Sequence, residues 1–172
     1  MSAAHDKPHG SQGWSFREEV TPADREVVRA IVESTGFFHP HEVEIAVELV
    51  DERLQKGPAS GYHFLFAERD GVVHGYACYG LIGCTQASHD LYWLVVEGSH
   101  RGQGLGRLLL AEAEERIRHS GGQRVYAETS NRSHYAPTRK FYERSGYHLE
   151  AVLKDFYAPG DDKAICVKVL SV

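Results

Sequence analysis

From Asp90 the chain reads Asp90-Leu-Tyr-Trp-Leu-Val-Val-Glu97, then Gly98-Ser-His-Arg-Gly-Gln-Gly-Leu-Gly106, and continues from Arg107 to His119. The first segment is an apolar run rich in residues that favour β-strands, and it is too short for a helix. After the glycines, apolar residues recur at helical spacing among charged ones; they are Leu105, Leu108, Leu109, Ala113 and Ile117. The pattern predicts a buried strand, a glycine-rich turn and an amphipathic helix.

The turn carries alternating glycines at Gly102, Gly104 and Gly106. Glycine permits backbone conformations in which several N–H groups point into one concavity. The first turn of the following helix adds the positive end of its dipole, so the segment is predicted to bind an anion of the phosphate type. It is not a Walker A loop, because no Gly-Lys-Ser/Thr follows. A dinucleotide fingerprint also fails, since Arg107 occupies its third glycine position.

The segment Arg101-Gly-Gln-Gly104-Leu-Gly106 resembles the Arg-x-x-Gly-x-Gly pyrophosphate motif of the GNAT superfamily, the acetyl-CoA-dependent N-acetyltransferases. The alternative interpretation is a glycine-rich turn that only links a strand to a helix. A second family landmark is Asn131 followed by Phe141-Tyr142-Glu143-x-x-Gly146-Tyr147. The two landmarks occur in the same order along this chain as in the family.

Periodicity and turn signals outside this stretch predict the order β-α-α-β-β-β-α-β-α-β-β. Residues 1–12 are polar and are expected to form a disordered N-terminal tail, and residues 13–172 the N-acetyltransferase domain. The first strand is expected over residues 14–20, and the first helix is expected to be capped by Thr21 with Pro22 at its first position. A single mixed α/β sheet of about seven strands with helices on both faces would bury every apolar stripe. This order resembles the whole GNAT fold, which implies that the fourth and fifth strands splay apart.

Composition limits the partners of the chain. It has 172 residues, enough for one domain, with 42% apolar and 25% charged residues. The formal net charge of −5 argues against nucleic acid and is compatible with a cationic amine. No apolar run approaches the roughly 18 residues of a membrane span, and no signal peptide is recognisable. The expectation is a cytoplasmic protein with neither a nucleic-acid nor a membrane partner.

The three cysteines and eleven histidines give no metal or redox signature. Cys78, Cys84 and Cys166 are an odd number without C-x-x-C spacing, which is typical of small core or strand residues in a cytosolic protein. The histidines form no His-Glu-x-x-His array or other local ligand spacing, so no metal site is expected.

The resemblance implies acetyl-CoA as the cosubstrate. The pantetheine arm would lie beside the backbone of the fourth strand, and the pyrophosphate over the glycine turn. The implied cofactor-binding residues are Leu94, Val95, Val96, Arg101, Gly102, Gln103, Gly104, Leu105, Gly106, Arg107, Asn131 and Tyr142.

Acetyl transfer to an amine releases a CoA thiolate, which needs a proton. A thiol has a reference pKa of about 8.5 and a tyrosine one of about 10, so a neutral tyrosine stays protonated and can donate to the departing sulfur. Tyr142 matches the position where many family members carry this acid. Glu128 is the first candidate for the base that takes the amine proton. The alternatives are Asp90, Tyr92, Glu97 and His134.

The acceptor site of the family lies between its first helix pair and its last hairpin, which here implies Phe37, Phe38, Tyr157 and Asp161. Aromatic rings with carboxylates suit an ammonium group. The predicted activity is N-acetylation of a primary amine, most simply a small molecule or an amino acid. A protein N-terminal acetyltransferase and a non-catalytic acyl-CoA-binding domain are the alternatives. The final strands could also pair in a homodimer.

Overall fold

The computed structural model describes residues 13–170, and the predicted tail at residues 1–12 lies outside them. The strands are β1 Ser15–Arg17, β2 His63–Arg69, β3 Val72–Leu81, β4 Ser88–Val96, β5 Arg124–Ser130, β6 His148–Ala158 and β7 Asp161–Val169. The helices are α1 Asp24–Ser34, α2 Pro40–Lys56, α3 Leu105–His119 and α4 Ala136–Arg144. Short 3₁₀ turns lie at Gly57–Ser60, Gly98–His100 and Ser133–Tyr135.

The strands form one seven-stranded sheet in the order β1-β2-β3-β4-β5-β7-β6. Strands β4 and β5 are parallel, and all other neighbours are antiparallel. The crossover between β4 and β5 is α3, as a parallel pair requires. The predicted element order and the mixed sheet are therefore confirmed.

Helices cover both faces of the sheet. On one face, α1 and α2 bury Val28 and Val50 against Phe66 and Tyr76, all with no exposed surface. On the opposite face, Leu109 of α3 lies in a separate core cluster, which also contains Tyr142 of α4. Each fully buried apolar side chain of this size stabilises the fold by about 1.5–3 kcal/mol. The two clusters hold the middle strands between layers of helix, so their backbone is a rigid support.

Strand β4 contains one residue more than its partner. Cys78 of β3 pairs with Trp93, but the next residue, Tyr79, pairs with Leu91, which leaves Tyr92 as the extra residue of a β-bulge. A bulge bends its strand and increases the local twist. Beyond this bend β4 leaves β5, because their pairing runs only from Ser88 to Leu91. The splay implied by the resemblance is therefore present, and it begins at the bulge.

The first strand and helix differ from the expected bounds. Strand β1 spans only Ser15–Arg17, and α1 begins at Asp24 rather than at Pro22. The reason is a buried ion pair: the Asp24 carboxylate accepts hydrogen bonds from the Thr21 N–H at 2.7 Å and from Arg17 Nη2 at 2.8 Å. Thr21 thus serves as a donor to Asp24 and does not cap the helix. No helix within residues 13–170 is long and apolar enough to cross a membrane.

Candidate active site

The gap between β4 and β5 exposes backbone groups of β4. The Glu97 N–H donates to the His74 carbonyl oxygen at 2.8 Å, so these two residues form a hydrogen-bonded pair of the antiparallel ladder. Such pairs alternate along a strand, and therefore Val95 also faces β3. The N–H and C=O groups of Leu94 and Val96 point the other way, into the gap, where β5 supplies no partner to them.

A groove of about 650 Å³ runs from this gap over the glycine turn. Gly102 and Gly104 have positive φ angles of 76° and 88°, which a residue with a side chain rarely adopts. The Leu108 N–H makes the first helical hydrogen bond, to Gly104 at 3.1 Å. The N–H groups of the three residues before Leu108 have no acceptor within the helix and lie at its positive end. This cradle fits an elongated anion such as a pyrophosphate.

Most of the implied cofactor residues line this groove or the adjoining cavity; they are Leu94, Val95, Val96, Arg101, Gly102, Gly104, Gly106, Arg107 and Tyr142. Three lie elsewhere. Gln103 donates its side-chain amide to the Ser99 carbonyl oxygen at 2.9 Å, and Leu105 is packed in the core. Asn131 donates its N–H to the Asp162 carbonyl oxygen at 2.8 Å and lines neither of these two spaces.

A second cavity, of about 790 Å³, opens on the other side of the gap. One wall is formed by the loop between α1 and α2. The other walls are formed by the last residues of β4 and of β5, by the 3₁₀ turn before α4 and by the β6–β7 hairpin. All four implied acceptor residues line it, namely Phe37, Phe38, Tyr157 and Asp161. Trp93, Ser130, Arg132 and Tyr135 also line it and were not among the predicted acceptor residues.

Aromatic contacts join the two sides of this cavity. The Phe37 ring stacks on the His134 ring with centroids 4.4 Å apart and meets Tyr135 edge-on at 4.7 Å. Phe38 packs against Trp93 of β4 at 5.2 Å. The α1–α2 loop and the turn before α4 are thus in contact across the site, and together they restrict the way into it.

Tyr142 lies where the two spaces meet. Its side chain lines both the groove and the larger cavity, and the residue is only 8% exposed. Burial raises the pKa of its hydroxyl well above the ordinary value, and Cys166 adds to the effect. Among the described residues, none is hydrogen-bonded to this hydroxyl. It is therefore a protonated donor, free to bind a group placed at the junction.

Glu128 lines the larger cavity and is paired with a cation. Lys163 Nζ donates to Glu128 Oε2 at 2.5 Å and lies 3.6 Å from the centre of the Phe156 ring. Of the alternative bases, Tyr92 and His134 also line the cavity. Burial raises the pKa of Tyr92 to about 12, with Asp90 as the next cause.

Asp90 and Glu97 do not line the larger cavity. Burial raises the pKa of Asp90, and the nearby Glu128 carboxylate raises it further, against the opposing effect of Lys163. Glu97 accepts from His74 at 2.8 Å and contacts His100 at 3.1 Å, so its carboxylate is occupied away from the cavity. The geometry favours Glu128 among the carboxylate candidates.

Comparison with known proteins agrees with this arrangement. Residues 26–147 match the Acetyltransferase (GNAT) family, and the chain belongs to this family of acyltransferases. Blasticidin-S acetyltransferase of Streptomyces morookaense is 38% identical over 94 residues, which are 53% of this chain and 65% of that relative. The chain thus matches just under two thirds of the length of this relative.

Two solved structures illustrate the range of similarity. A GNAT-family protein from Desulfovibrio desulfuricans is 51% identical, with a TM-score of 0.89 over 92% of this chain and 99% of that one. The Salmonella typhimurium protein yncA, solved with acetyl-CoA, is 20% identical, with a TM-score of 0.70 over 92% of this chain and 95% of that one. At that identity the likeness shows the fold alone. The predicted family and fold are confirmed.

Proposed function

We propose that the protein transfers the acetyl group of acetyl-CoA to a primary amine of a small molecule or an amino acid. The observation that carries the proposal is the position of Tyr142, whose unpartnered hydroxyl lies between a groove suited to CoA and a separate cavity suited to an amine. A binding domain without catalytic function would need only the groove. The second cavity and a protonated donor at the junction favour an enzyme.

The groove suits acetyl-CoA at both ends. The unpaired N–H groups at the start of α3 would bind the pyrophosphate, and Arg101 and Arg107 add positive charge to the same groove. The pantetheine amides would pair with the free backbone groups of Leu94 and Val96, as an added strand does. With both ends bound in this way, the pantetheine arm would extend toward Tyr142 and bring the thioester to the junction of the groove and the cavity. The fold likeness to a protein solved with acetyl-CoA is in line with this placement.

The reaction is direct attack. The neutral amine nitrogen forms a bond to the thioester carbonyl carbon while the C–S bond breaks. The carbonyl oxygen would be stabilised by a backbone N–H of β4, with that of Val96 pointing into the gap. Tyr142 donates its proton to the departing sulfur. Glu128, directly or through a water molecule, accepts the proton that the amine nitrogen loses.

The acceptor cavity supports a small amine. Phe37 and His134 are stacked across it, which leaves less room for a polypeptide than an open groove would. The aromatic rings of this cavity suit a cationic group before it loses its proton. The relative from Streptomyces morookaense carries a small-molecule name, blasticidin-S acetyltransferase, which favours the same class of acceptor.

The test has two stages. First, the thermal unfolding midpoint is measured with and without acetyl-CoA, with ATP and NAD as controls. Acetyl-CoA at about 100 times its Kd should raise the midpoint by about 5–10 °C, and the controls should not. Second, release of free thiol is followed with a panel of small amines, amino acids and peptides with free N-termini. Turnover of small amines supports the proposal, preference for peptides favours an N-terminal acetyltransferase, and binding without any turnover favours a non-catalytic domain.

A further inference from the structure

Three potential metal ligands meet beside the groove, outside the acceptor cavity. They are His74 of β3, Glu97 directly after β4, and His100 of the following 3₁₀ turn. His74 Nδ1 lies 2.8 Å and His100 Nδ1 lies 3.1 Å from the same carboxylate oxygen, Glu97 Oε2. The two imidazole rings are only 4.1 Å apart between centroids. One oxygen and two ring nitrogens thus converge on one point.

The spacing suits a transition-metal ion. Zinc binds histidine nitrogen and carboxylate oxygen at about 2.0–2.2 Å, which in a tetrahedral site places neighbouring ligand atoms roughly 3.3 Å apart. The two nitrogen–oxygen distances at Glu97 fall short of this value by only a few tenths of an ångström, and all three ligand atoms lie within 4.8 Å of one another. Two histidines with one carboxylate are also a ligand set that zinc enzymes use.

The three side chains are held before any ion arrives. The Glu97 N–H donates to the His74 carbonyl oxygen, and the His100 N–H donates to the Glu97 carbonyl oxygen at 2.9 Å. The Trp14 ring lies edge-on to both imidazoles, at 5.6 Å from His74 and 6.0 Å from His100. The side chains are 17%, 35% and 24% exposed for His74, Glu97 and His100, so an ion could enter from solvent and keep water in its remaining positions.

We propose that His74, Glu97 and His100 bind a divalent transition-metal ion of the zinc type at the edge of the groove. His100 itself lines the groove and precedes Arg101 and the glycine turn. An ion here would fix the start of that turn, and it would add positive charge next to the place proposed for the pyrophosphate. Its role is structural, since none of the three ligands lines the acceptor cavity. No metal site was expected from the sequence, because His74 is 23 residues from Glu97 and forms no local ligand spacing with it.

The experiment is calorimetric titration of the full, untagged chain with ZnCl2, supported by the visible absorption of bound Co²⁺. The expected result is one site of micromolar or tighter Kd. Removing a ligand by His74→Ala or His100→Ala should weaken that site by more than about tenfold, and Glu97→Gln should also weaken it. The matched control is His119→Ala, because His119 and Glu115 form an exposed histidine–carboxylate pair at 3.3 Å that has no third ligand among residues 13–170.

Circular dichroism without metal shows whether each variant folds, and His100→Asn replaces any alanine variant that does not. The proposal is overturned if the wild-type chain binds zinc no more tightly than the His74 and His100 variants, or if His119→Ala abolishes the site instead. The acetyl-CoA shift is measured separately in a chelator, so a failure of the metal site leaves the acetyltransferase proposal standing.

Discussion

Gly98 lies directly against Ser34. Its N–H donates to Ser34 Oγ at 3.0 Å, and a Cβ atom on Gly98 would come within 2.5 Å of the Ser34 carbonyl oxygen. Ser34 ends α1 and leads into the acceptor loop with Phe37 and Phe38, whereas Gly98 begins the turn that leads into the glycine segment. The segments that lead into the two substrate sites are therefore in tight contact at Gly98 and Ser34.

Gly98→Ala should disturb both sites at once. The added methyl group forces the two segments apart, so we expect a severalfold rise in KM for both acetyl-CoA and the amine, with a loss of stability of about 1–3 kcal/mol. Steady-state kinetics and urea unfolding measure these effects. Gly83→Ala is the control, because nothing lies within 4 Å of a Cβ atom there. A change confined to one substrate would contradict the coupling.

Tyr142→Phe removes the proposed acid and keeps the ring. We expect kcat to fall by about 100-fold or more, while the Kd of acetyl-CoA stays within about twofold, since the hydroxyl acts only as the sulfur departs. Stopped-assay thiol release and calorimetry separate the two quantities. Tyr147→Phe is a matched control: its ring lies 5.2 Å from that of Tyr142 and it lines neither the groove nor the acceptor cavity. An unchanged kcat in Tyr142→Phe would assign the proton to another donor.

Gly104→Ala tests the cradle for the pyrophosphate. Gly104 precedes α3 with a φ of 88°, so alanine there should strain the turn and misdirect the N–H groups at the start of the helix. We expect acetyl-CoA to bind at least tenfold more weakly in calorimetry. Gly71→Ala introduces comparable strain at a φ of 76° in the β2–β3 turn and should leave acetyl-CoA binding unchanged. Equal weakening in both variants would point to general instability.

Asp24→Asn tests the buried ion pair at the start of α1. Burial alone would raise the pKa of Asp24, but Arg17 and the two Thr21 donors outweigh it and hold that pKa below its ordinary value. A lowered folded-state pKa stabilises the protein above the unfolded value of about 3.9, and this stabilisation is lost as the pH falls through the folded-state pKa. The asparagine variant should be less stable by about 3 kcal/mol at pH 7, because it leaves the partly buried Arg17 without its charged partner.

The difference from wild type should begin to shrink below about pH 4, where Asp24 of the unfolded chain becomes protonated, and should be lost as the pH falls through the lowered folded-state pKa. Urea unfolding between pH 3 and 7 gives the comparison. Asp51→Asn breaks an ion pair with Arg25 in which both side chains are more than a third exposed, so it should cost less than about 1 kcal/mol. A difference that is independent of pH would show that the charge of Asp24 is unimportant.

Phe37→Ala tests the closed acceptor cavity. Removing the ring abolishes its stack on His134, so we expect KM for a small amine to rise about tenfold with little change for acetyl-CoA. Leu149→Ala, which removes an exposed apolar side chain of β6 that does not line the cavity, is the control. Should Phe37→Ala instead improve turnover of peptides, Phe37 would be a barrier to larger acceptors.

Local sequence patterns predicted most helices and strands well, because the burial pattern and turn residues of an element lie within its own segment of the chain. The helical stripe after Leu105 predicted α3 close to its observed bounds. The bounds failed at β1 and α1, where the ion pair of Asp24 with Arg17 replaced the expected cap. An ion pair between β1 and the start of α1, seven residues apart, determined that boundary in place of a capping motif.

Only those site residues that belong to a sequence motif could be predicted. The glycine turn and Tyr142 were predicted from the resemblance to the family's motifs, and both line the same groove in the structure. Three relationships depend on sheet register or loop approach between residues far apart in the chain, and no local pattern reveals them. They are the Glu128–Lys163 pair, the Phe37–His134 stack and the convergence of His74, Glu97 and His100.

The opening in the sheet begins where β4 has one residue more than β3, at Tyr92. With equal numbers of residues on both sides of the ladder, β4 could continue alongside β5, and the backbone of Leu94 and Val96 would be consumed by sheet pairing. The opening therefore depends on how many residues β4 contains more than on which side chains they carry. The loss of a single codon here would move every later residue of β4 to the opposite face of the sheet, whereas the exchange of a codon would change only one side chain.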